Sequence, residues 1–390
     1  MRNILNSTIG IFIVFTIFFP LSPFVFSSGN AGALTTICSI IIIFLLLQQK
    51  INVTNNLYML LFPVLLSFII SALYWQEIML LNYPKYLIFS IIIVSLLQKN
   101  IVYIIGKYST FVIVFALCCA VIGFIYAAIG GSAIYTITNP NGREFYFYLT
   151  TFTVTNYSGF IRPSAFFDEP GALSFYICFV VMLREILWPR KRALNFALLA
   201  FGIVTLSLAH IVFTILYIIY CLITKPTTKL IVGLVIILIL SFVFLAVLPN
   251  KDVVFEYLIS RSSSDTDGQG RSALLQAAID TLQNAGVGLY IFGIDSNCLV
   301  NYDEACRYIY PRMGENILSP VVFGGLLTSW LFYFSYIYVG YKSLRKFIPN
   351  FIIFSFLLLY LQRPYIYLLS YSFMFMIALR LSIGFFDKEK

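Results

Sequence analysis

The stretch FIRPSAFFDEPGALSFYICFVVML, residues 159–182, decides the fold class of this chain. Its second half is an apolar segment that can enter a lipid bilayer as a helix. Its first half places Arg162, Asp168 and Glu169 directly before that segment. Proline suits the first helical position and carboxylates suit the positive end of a helix dipole, so the DEP sequence favours a helix start at Pro170. The stretch therefore predicts a membrane helix with a charged N-terminal end.

The composition of the whole chain extends this prediction. Of the 390 residues, 61% are hydrophobic, 18% are aromatic and only 11% are charged. Soluble domains carry roughly 25% charged residues, so a soluble fold is excluded. The apolar runs are about 15–22 residues long, which suits helices rather than the alternating strands of an outer-membrane barrel. We therefore predict an all-α polytopic membrane protein in which residues 1–390 form a single integral membrane domain.

The pattern of apolar runs predicts about twelve transmembrane helices. The seventh and eighth look like one long run that is broken at SLAH, residues 207–210, and we interpret the break as a tight hairpin. Two segments between the spans are large, one at residues 131–169 and the other at 249–317. The approximate span ranges are 7–26, 31–48, 57–74, 84–98, 109–130, 170–188, 193–208, 209–224, 230–248, 318–340, 349–362 and 365–383.

The distribution of basic residues predicts the topology. The clusters WPRKR, residues 188–192, and YKSLRK, residues 341–346, end short loops, where the positive-inside rule is strongest. With these loops inside, both termini are cytoplasmic and both large segments are outside. The net charge of +9 is then a topology signal that requires no nucleic acid partner. We interpret the first span as a membrane helix rather than a cleaved signal peptide, because its apolar stretch is long and Arg2 is the only basic residue before it.

Polar chemistry is concentrated on the outer face of this topology. Arginine dominates the basic residues there, although the positive-inside rule disfavours them. Its planar guanidinium suits phosphate and carboxylate ligands, so an anionic ligand is expected on this face. A channel or carrier keeps its functional polar residues within the membrane, which favours chemistry or binding at the outer surface instead. The outer basic residues are Lys85, Arg143, Arg162, Lys251, Arg261, Arg271, Arg307, Arg312 and Arg363.

The two large segments carry different patterns. REFYFYLTTFTVTNY, residues 143–157, is aromatic and β-branched, which suits either an interfacial aromatic belt or a platform on which sugar rings stack. In the second segment, SALLQAAIDTLQN, residues 272–284, has apolar residues at helical spacing. It therefore predicts a short amphipathic helix at the membrane edge.

Several smaller features leave alternatives open. DTD, residues 265–267, has the form that soluble glycosyltransferases use to hold a metal, but its flexible Ser/Gly surroundings make the signal weak. Cys298 and Cys306 share an outer loop, and a disulfide between them would suit an oxidising compartment. His210 is the single histidine and has either a structural or a binding role at a helix mouth. No metal-ligand spacing is present, so we predict no metal and no cofactor.

Four stretches together resemble the O-antigen polymerases (Wzy-type) and the related O-antigen ligases. They are RPSAFFDEPGALSFY (162–176), TLSLAHIVFTILYIIY (205–220), GRSALLQAAIDTLQNAGVGLYIFGI (270–294) and GENILSPVVFGGLLTSW (314–330). The chain departs from the family pattern in two places. Leu208 follows Ser207 where an arginine is common, and Glu315 precedes Asn316 where the ligases have histidine.

The resemblance implies a GT-C-like fold in the bacterial inner (cytoplasmic) membrane, with an active face in the periplasm. It implies a metal-independent glycosyltransferase of O-antigen and lipopolysaccharide biosynthesis that acts on undecaprenyl-pyrophosphate-linked oligosaccharides. The growing glycan is the donor, a hydroxyl of a newly flipped repeat unit attacks it, and the lipid pyrophosphate leaves. A chain-length regulator and a flippase are the implied protein partners, beside the lipid bilayer itself.

This reaction requires two kinds of group. Guanidinium groups can stabilise the leaving pyrophosphate, and a carboxylate or an imidazole can deprotonate the hydroxyl. Glu315 is the first candidate for the base, because it occupies the position of the ligase histidine. The alternative bases are Asp168, Glu169 and His210. The candidate pyrophosphate-binding residues are Arg162 and Arg271, followed by Arg261 and Arg312.

Three other functions remain open for the sequence. An O-antigen ligase would transfer finished glycan to lipid A core, and Glu315 in place of histidine counts against it. A lipid-linked oligosaccharide flippase also has about twelve spans, but it should carry its charges inside the bundle and lack two large outer loops. A scaffold protein would leave the arginine-rich outer face without a purpose.

Overall fold

Helices form most of the described chain. The computed structural model describes residues 2–27, 31–49, 56–138, 144–154, 156–157, 160–224, 271–294 and 316–384. The helices are α1 Arg2–Phe18, α2 Pro23–Ser27, α3 Ala31–Leu47, α4 Leu61–Trp75, α5 Lys85–Leu96, α6 Lys99–Ala128, α7 Pro170–Leu187, α8 Arg192–Gly202, α9 Leu208–Thr224, α10 Arg271–Gln283, α11 Val287–Phe292, α12 Ser319–Arg345, α13 Phe347–Leu357 and α14 Leu369–Gly384.

Four helical segments are long and apolar enough to cross a membrane. They are Leu57–Trp75, Lys99–Ala128, Pro170–Leu187 and Ser319–Arg345, and shorter apolar helices of 10–17 residues accompany them in the described ranges. The prediction of a helical membrane protein is thereby confirmed. The prediction of about twelve spans stays a prediction, and one of those spans, 230–248, lies outside the described residues.

The first large segment contains an antiparallel sheet that the all-α prediction omitted. Its strands are β1 Tyr135–Thr138, β2 Glu144–Tyr148 and β3 Thr151–Thr153, in that spatial order. A separate pair, β4 Asn156–Tyr157 and β5 Phe160–Ile161, follows. Aromatic and β-branched residues favour strands because they pack well on a pleated surface. The rings of Tyr135 and Phe147 stack across β1 and β2 with centroids 4.7 Å apart, which shows such a cross-strand pair.

The chain divides into two compact units. Unit 1 comprises Met1–Ile42 and Gln98–Tyr257, and unit 2 comprises Ile43–Leu97 and Leu258–Lys390. In unit 1, α7 is the central helix, since all of its residues except Gly171 and Ile186 are buried. It packs against α6, α8 and α9. A helix that is apolar all round is buried in this way, because every face needs a partner.

In unit 2, helix α12 is interrupted at a glycine that lies directly against a second glycine, after α11. Gly325 lies within α12 but has φ +66°, and Gly293, just after α11, has φ +81°. A Cβ atom on Gly293 would overlap the carbonyl of Phe323, and one on Gly325 would overlap the carbonyl of Ile291. The Ile294 amide also donates to the Val322 carbonyl at 2.8 Å. Glycine at both positions therefore lets the chain after α11 lie directly against the start of α12.

Helix α10 also packs on the start of α12. The region predicted as an amphipathic helix at 272–284 is helical from Arg271 to Gln283. Its residues Ala278 and Leu282 form a buried cluster with Ile294, Val321 and Val322. The apolar positions at helical spacing thus face protein in this unit.

Candidate functional site

The predicted site residues fall into two groups, one in each unit. Unit 1 holds Arg162, Asp168, Glu169 and His210. Unit 2 holds Arg261, Arg271, Arg312 and Glu315. Of these four, only the backbone of Arg271, as the first residue of α10, belongs to the described structure. The DTD sequence, Cys298 and Cys306 likewise lie outside the described residues.

Arg162 ties the chain that precedes α7 to the hairpin between α8 and α9. Its side chain is buried, with 6% of the residue exposed. Nε donates to the Thr205 carbonyl at 3.1 Å, and Nη2 donates to the Leu206 carbonyl at 3.2 Å. Thr205 ends the 3₁₀ turn Ile203–Thr205 that follows α8, and Leu206 adopts φ +46°, which turns the chain toward α9. The guanidinium therefore supplies donors to main-chain acceptors that a helix end leaves open.

The segment between the sheet and α7 is held by short hydrogen bonds. The Phe152 amide donates to the Ala165 carbonyl at 2.7 Å, and the Ser164 amide donates to the Phe152 carbonyl at 2.8 Å. The Ala165 amide donates to Thr151 Oγ1 at 2.7 Å. Ala165 has φ +53°, a left-handed conformation that is costly for a residue with a Cβ atom. The surrounding bonds thus fix the backbone on which Arg162 is mounted.

The same region is closed by apolar packing. Leu206 at the hairpin turn packs with Phe124 from α6, Tyr148 from β2 and Ile161 from β5. The sheet therefore connects the end of α6 to the α8–α9 hairpin. At its exposed side, Tyr146 donates a hydrogen bond to the Glu144 carboxylate, which raises the pKa of Tyr146.

Asp168 and Glu169 directly precede α7, which starts at Pro170 as the sequence predicts. Both residues are partly exposed. Glu169 stands at the N-cap position with an extended backbone, and its side chain makes no capping hydrogen bond. Its carbonyl accepts the amides of Ala172 at 3.0 Å and Leu173 at 3.2 Å. The helix thus starts without a side-chain cap from Glu169, and the carboxylate contributes through its charge near the helix N-terminus.

His210 occupies a buried position between three helices. The residue is 0% exposed, and its Nε2 lies 2.8 Å from the Leu199 carbonyl, to which it donates. Its Nδ1 lies 3.9 Å from the sulfur of Cys178. Gly202 faces the ring so closely that an added Cβ atom would lie 2.7 Å from Nε2. Of the two roles that the sequence left open, this geometry fits the structural one.

A polar network at the other end of α7 was missed by the sequence analysis. Glu185 is 2% exposed and accepts hydrogen bonds at both carboxylate oxygens. Arg192 Nε donates to Oε1 at 2.9 Å, and its Nη2 lies 2.7 Å from the same oxygen. At Oε2, the carboxylate accepts the Tyr217 hydroxyl at 2.8 Å and Asn195 Nδ2 at 3.3 Å. The buried charge is thus paired and hydrogen-bonded, as a charge in such surroundings requires.

Arg184 joins the same network. Its Nε donates to Asn195 Oδ1 at 2.7 Å and its Nη1 donates to Thr110 Oγ1 at 3.4 Å. The sequence analysis assigned Arg192, within WPRKR, to the topology alone. The signal that it overlooked is Glu185, an acid within an apolar helix, because such a residue in a membrane segment needs a partner.

In unit 2, Asn316 joins the start of α12 to the first turn of α10. Its Oδ1 accepts the amides of Leu318 at 2.8 Å and Ser319 at 3.1 Å. Its Nδ2 donates to the Leu274 carbonyl at 3.2 Å. Asn316 directly follows Glu315 in the chain, and Leu274 lies three residues after Arg271.

Comparisons with known proteins give this chain no relatives: no family model, curated protein or solved structure matches it. Its function must therefore be argued from its own residues. Within the described ranges, no three His, Cys, Asp or Glu residues form a group that could hold a metal ion.

Proposed function

We propose that this protein is a polymerase that joins undecaprenyl-pyrophosphate-linked oligosaccharide repeat units at the periplasmic face of the bacterial inner membrane. The observation that carries the proposal is the hydrogen bond from Asn316 to the Leu274 carbonyl, at 3.2 Å. It brings the first turn of α10, which begins at Arg271, next to the residue that follows Glu315. Arg271 begins the helix that this bond holds, and Glu315 precedes Asn316 in the sequence, which supports a guanidinium and a carboxylate acting together in the transfer of a glycan from a lipid pyrophosphate.

The proposed reaction is a direct displacement. A hydroxyl of the incoming repeat unit attacks the anomeric carbon of the growing glycan, a new glycosidic bond forms, and the bond from that carbon to the pyrophosphate oxygen breaks. Glu315 accepts the proton of the hydroxyl, and undecaprenyl pyrophosphate leaves with the electron pair of the broken bond. Arg271 stabilises the charge that develops on the leaving group, so the reaction needs no metal ion.

The residues at the start of α7 are further candidates for the proposed chemistry. Arg162 donates to two main-chain carbonyls, so its first task is to hold the α8–α9 hairpin, and it remains a candidate pyrophosphate-binding residue. Asp168 and Glu169 are partly exposed and remain the alternative bases. His210 is not retained as a base, because both ring nitrogens face buried protein groups. Arg261 and Arg312 remain the secondary pyrophosphate-binding candidates.

The proposal is tested by reconstituting the purified protein in liposomes with undecaprenyl-pyrophosphate-linked repeat units and EDTA. A ladder of glycans of increasing length is expected. Glu315→Gln should lower the initial rate by about 10²–10⁴-fold, the usual effect of losing a general base. Arg190→Ala is the matched control for a lost positive charge, because Arg190 is exposed and lies after α7. Failure of the wild-type protein to form any ladder would contradict the proposal.

The same liposomes separate the alternative functions. A flippase would move the lipid-linked units across the bilayer without joining them, which a membrane-impermeant glycosidase detects. A ligase would extend only lipid A core added as acceptor, and would leave the repeat units single in its absence. Two described charges of unit 1, the buried Glu185 and the partly buried Arg192, bond to protein groups, which favours a structural role for them over a transport path.

A further inference from the structure

Asn316 uses the two ends of its amide for different helices. The oxygen Oδ1 accepts the amides of Leu318, which directly precedes α12, and of Ser319, its first residue. The Asn316 main-chain amide in turn donates to Ser319 Oγ at 3.1 Å, which completes a reciprocal cap. The nitrogen Nδ2 points away from this cap and donates to the Leu274 carbonyl in α10. One half of the side chain therefore begins α12, and the other half holds α10.

The contact of Nδ2 differs in kind from the other contacts between these helices. Ala278 and Leu282 of α10 pack against Val321 and Val322 through apolar surface. Apolar burial is non-directional, so it opposes separation of the helices but specifies their axial position weakly. A hydrogen bond has a preferred distance and angle, so the bond to Leu274 fixes the axial position of the first turn of α10 relative to the start of α12. Arg271 is the first residue of that turn.

We propose that Asn316 is a positioning residue for the pyrophosphate-binding guanidinium of Arg271. This inference rests on the proposed function, since it concerns the same diphosphate group. Asn316 touches no reacting atom; it sets the place from which Arg271 reaches the leaving pyrophosphate. A shift of the first turn of α10 would misplace that cation while leaving the apolar packing of the helix in place.

Two substitutions separate this role from capping. Asn316→Asp and Asn316→Ser both keep an oxygen that can cap α12, because Asp and Ser are as good as Asn at such positions. Ionised Asp has no donor, and the Ser hydroxyl ends at the level of the Asn Cγ atom, one bond short of the Nδ2 that donates to the Leu274 carbonyl. Asp adds a negative charge whereas Ser does not, so an effect common to both variants cannot come from charge. Ser319→Ala is the matched control, because it weakens the same cap and leaves the bond to α10 intact.

The test is a double-mutant cycle with Arg271→Ala in liposomes, read in two ways. The first reading is the affinity for undecaprenyl pyrophosphate alone, which involves no polymerisation, and the second is kcat/KM for the lipid-linked donor. Asn316→Ser and Asn316→Asp should each weaken both quantities about tenfold, the cost of misplacing one charge-assisted contact. In the Arg271→Ala background the same substitutions should have no further effect, because Asn316 acts through that residue.

The outcomes distinguish this inference from the proposed function. If affinity and kcat/KM both show the coupling, the positioning role is supported. If the effects of Asn316 and Arg271 are additive, or if Ser319→Ala couples to Arg271 as strongly, the role is overturned while the polymerase remains. If lipid pyrophosphate binding shows the coupling but the wild-type protein makes no polymer, the polymerase fails and the positioning of a diphosphate-binding arginine stands.

Discussion

The two ends of α7 handle buried charge in different ways. At its C-terminal end, Glu185 is surrounded by donors from Arg192, Asn195 and Tyr217, so its charge is neutralised within the protein. Before its N-terminal end, Arg162 donates to the main-chain carbonyls of a hairpin, which carry no net charge. These ends lie roughly 27 Å apart, because the helix has 18 residues that each rise about 1.5 Å.

This difference assigns separate tasks to the two ends. The Glu185 carboxylate is hydrogen-bonded at both oxygens by side chains of its own unit, so we expect the C-terminal network to stabilise the fold. The N-terminal end combines a guanidinium on a fixed backbone with two partly exposed acids, Asp168 and Glu169, which remain candidates for the proposed chemistry. Substitutions at the C-terminal end of α7 are therefore expected mainly to lower the free energy of unfolding, and substitutions at its N-terminal end mainly to lower activity.

Breaking the C-terminal network should give the largest loss of stability. Glu185→Ala leaves the Arg192 guanidinium without its carboxylate, and removing one partner of a buried pair costs about 3–5 kcal/mol. The free energy of unfolding in mixed micelles, from denaturant titration, measures this. Glu185→Gln should cost less, because its amide still accepts from Tyr217 or Arg192. A change below 1 kcal/mol in Glu185→Ala would contradict the stabilising role, and Arg190→Ala is the exposed control.

Removing Arg162 should have the next largest effect on stability and a larger one on activity. Arg162→Ala leaves the Thr205 and Leu206 carbonyls without their donor, and an unsatisfied buried group costs about 1–3 kcal/mol. The same titration gives the stability, and the length of the glycan ladder gives the activity per folded molecule. Arg162→Lys keeps the charge but not the planar fork, so it should recover stability in part and chain length poorly. Normal ladders from folded Arg162→Ala would remove this residue from the proposed chemistry.

The helix positions could be predicted where apolar runs are sharply bounded. The run at 170–188 became α7 at Pro170–Leu187, because Pro170 starts a helix and Pro189 follows its end. The run at 109–130 was placed too late, since α6 already begins at Lys99. Lys99 and Lys107 both lie within α6, because a long basic side chain can extend from a helix toward water without ending it.

The sequence could not predict the partners of the candidate residues. Arg162 was recognised as an unusual charge at a helix mouth, but its acceptors are main-chain carbonyls, which leave no trace in the side-chain pattern. The Glu185 network brings together residues that are far apart in the chain, 32 positions for Glu185 and Tyr217 and 74 positions for Arg184 and Thr110, so only the fold makes it visible. Asn316 was quoted only as the neighbour of Glu315, and its bond to α10 follows from tertiary packing.

The hairpin that Arg162 binds can be tested through the packing of Gly202 against His210. Gly202→Ala places a Cβ atom in contact with the imidazole, and such overpacking costs about 1–3 kcal/mol. His210→Ala alone should also destabilise, because it opens a cavity and removes the donor to Leu199. The double variant should lose less free energy of unfolding than the two single variants together, because alanine at position 210 makes room for the methyl group added at position 202. Strict additivity in the unfolding titrations would contradict this packing.

The smallest loss of stability is expected at Glu169. A substitution there most clearly separates an effect on activity from an effect on stability. Glu169→Gln removes a charge beside the helix N-terminus and no capping bond, so it should cost about 0.3–1 kcal/mol. If the N-terminal end serves chemistry, Asp168→Asn or Glu169→Gln should shorten the glycan ladder far more than this small loss explains. If both variants keep normal ladders while Glu315→Gln abolishes them, the acids at α7 only start the helix. The base is then placed in unit 2, beside the residue that holds α10.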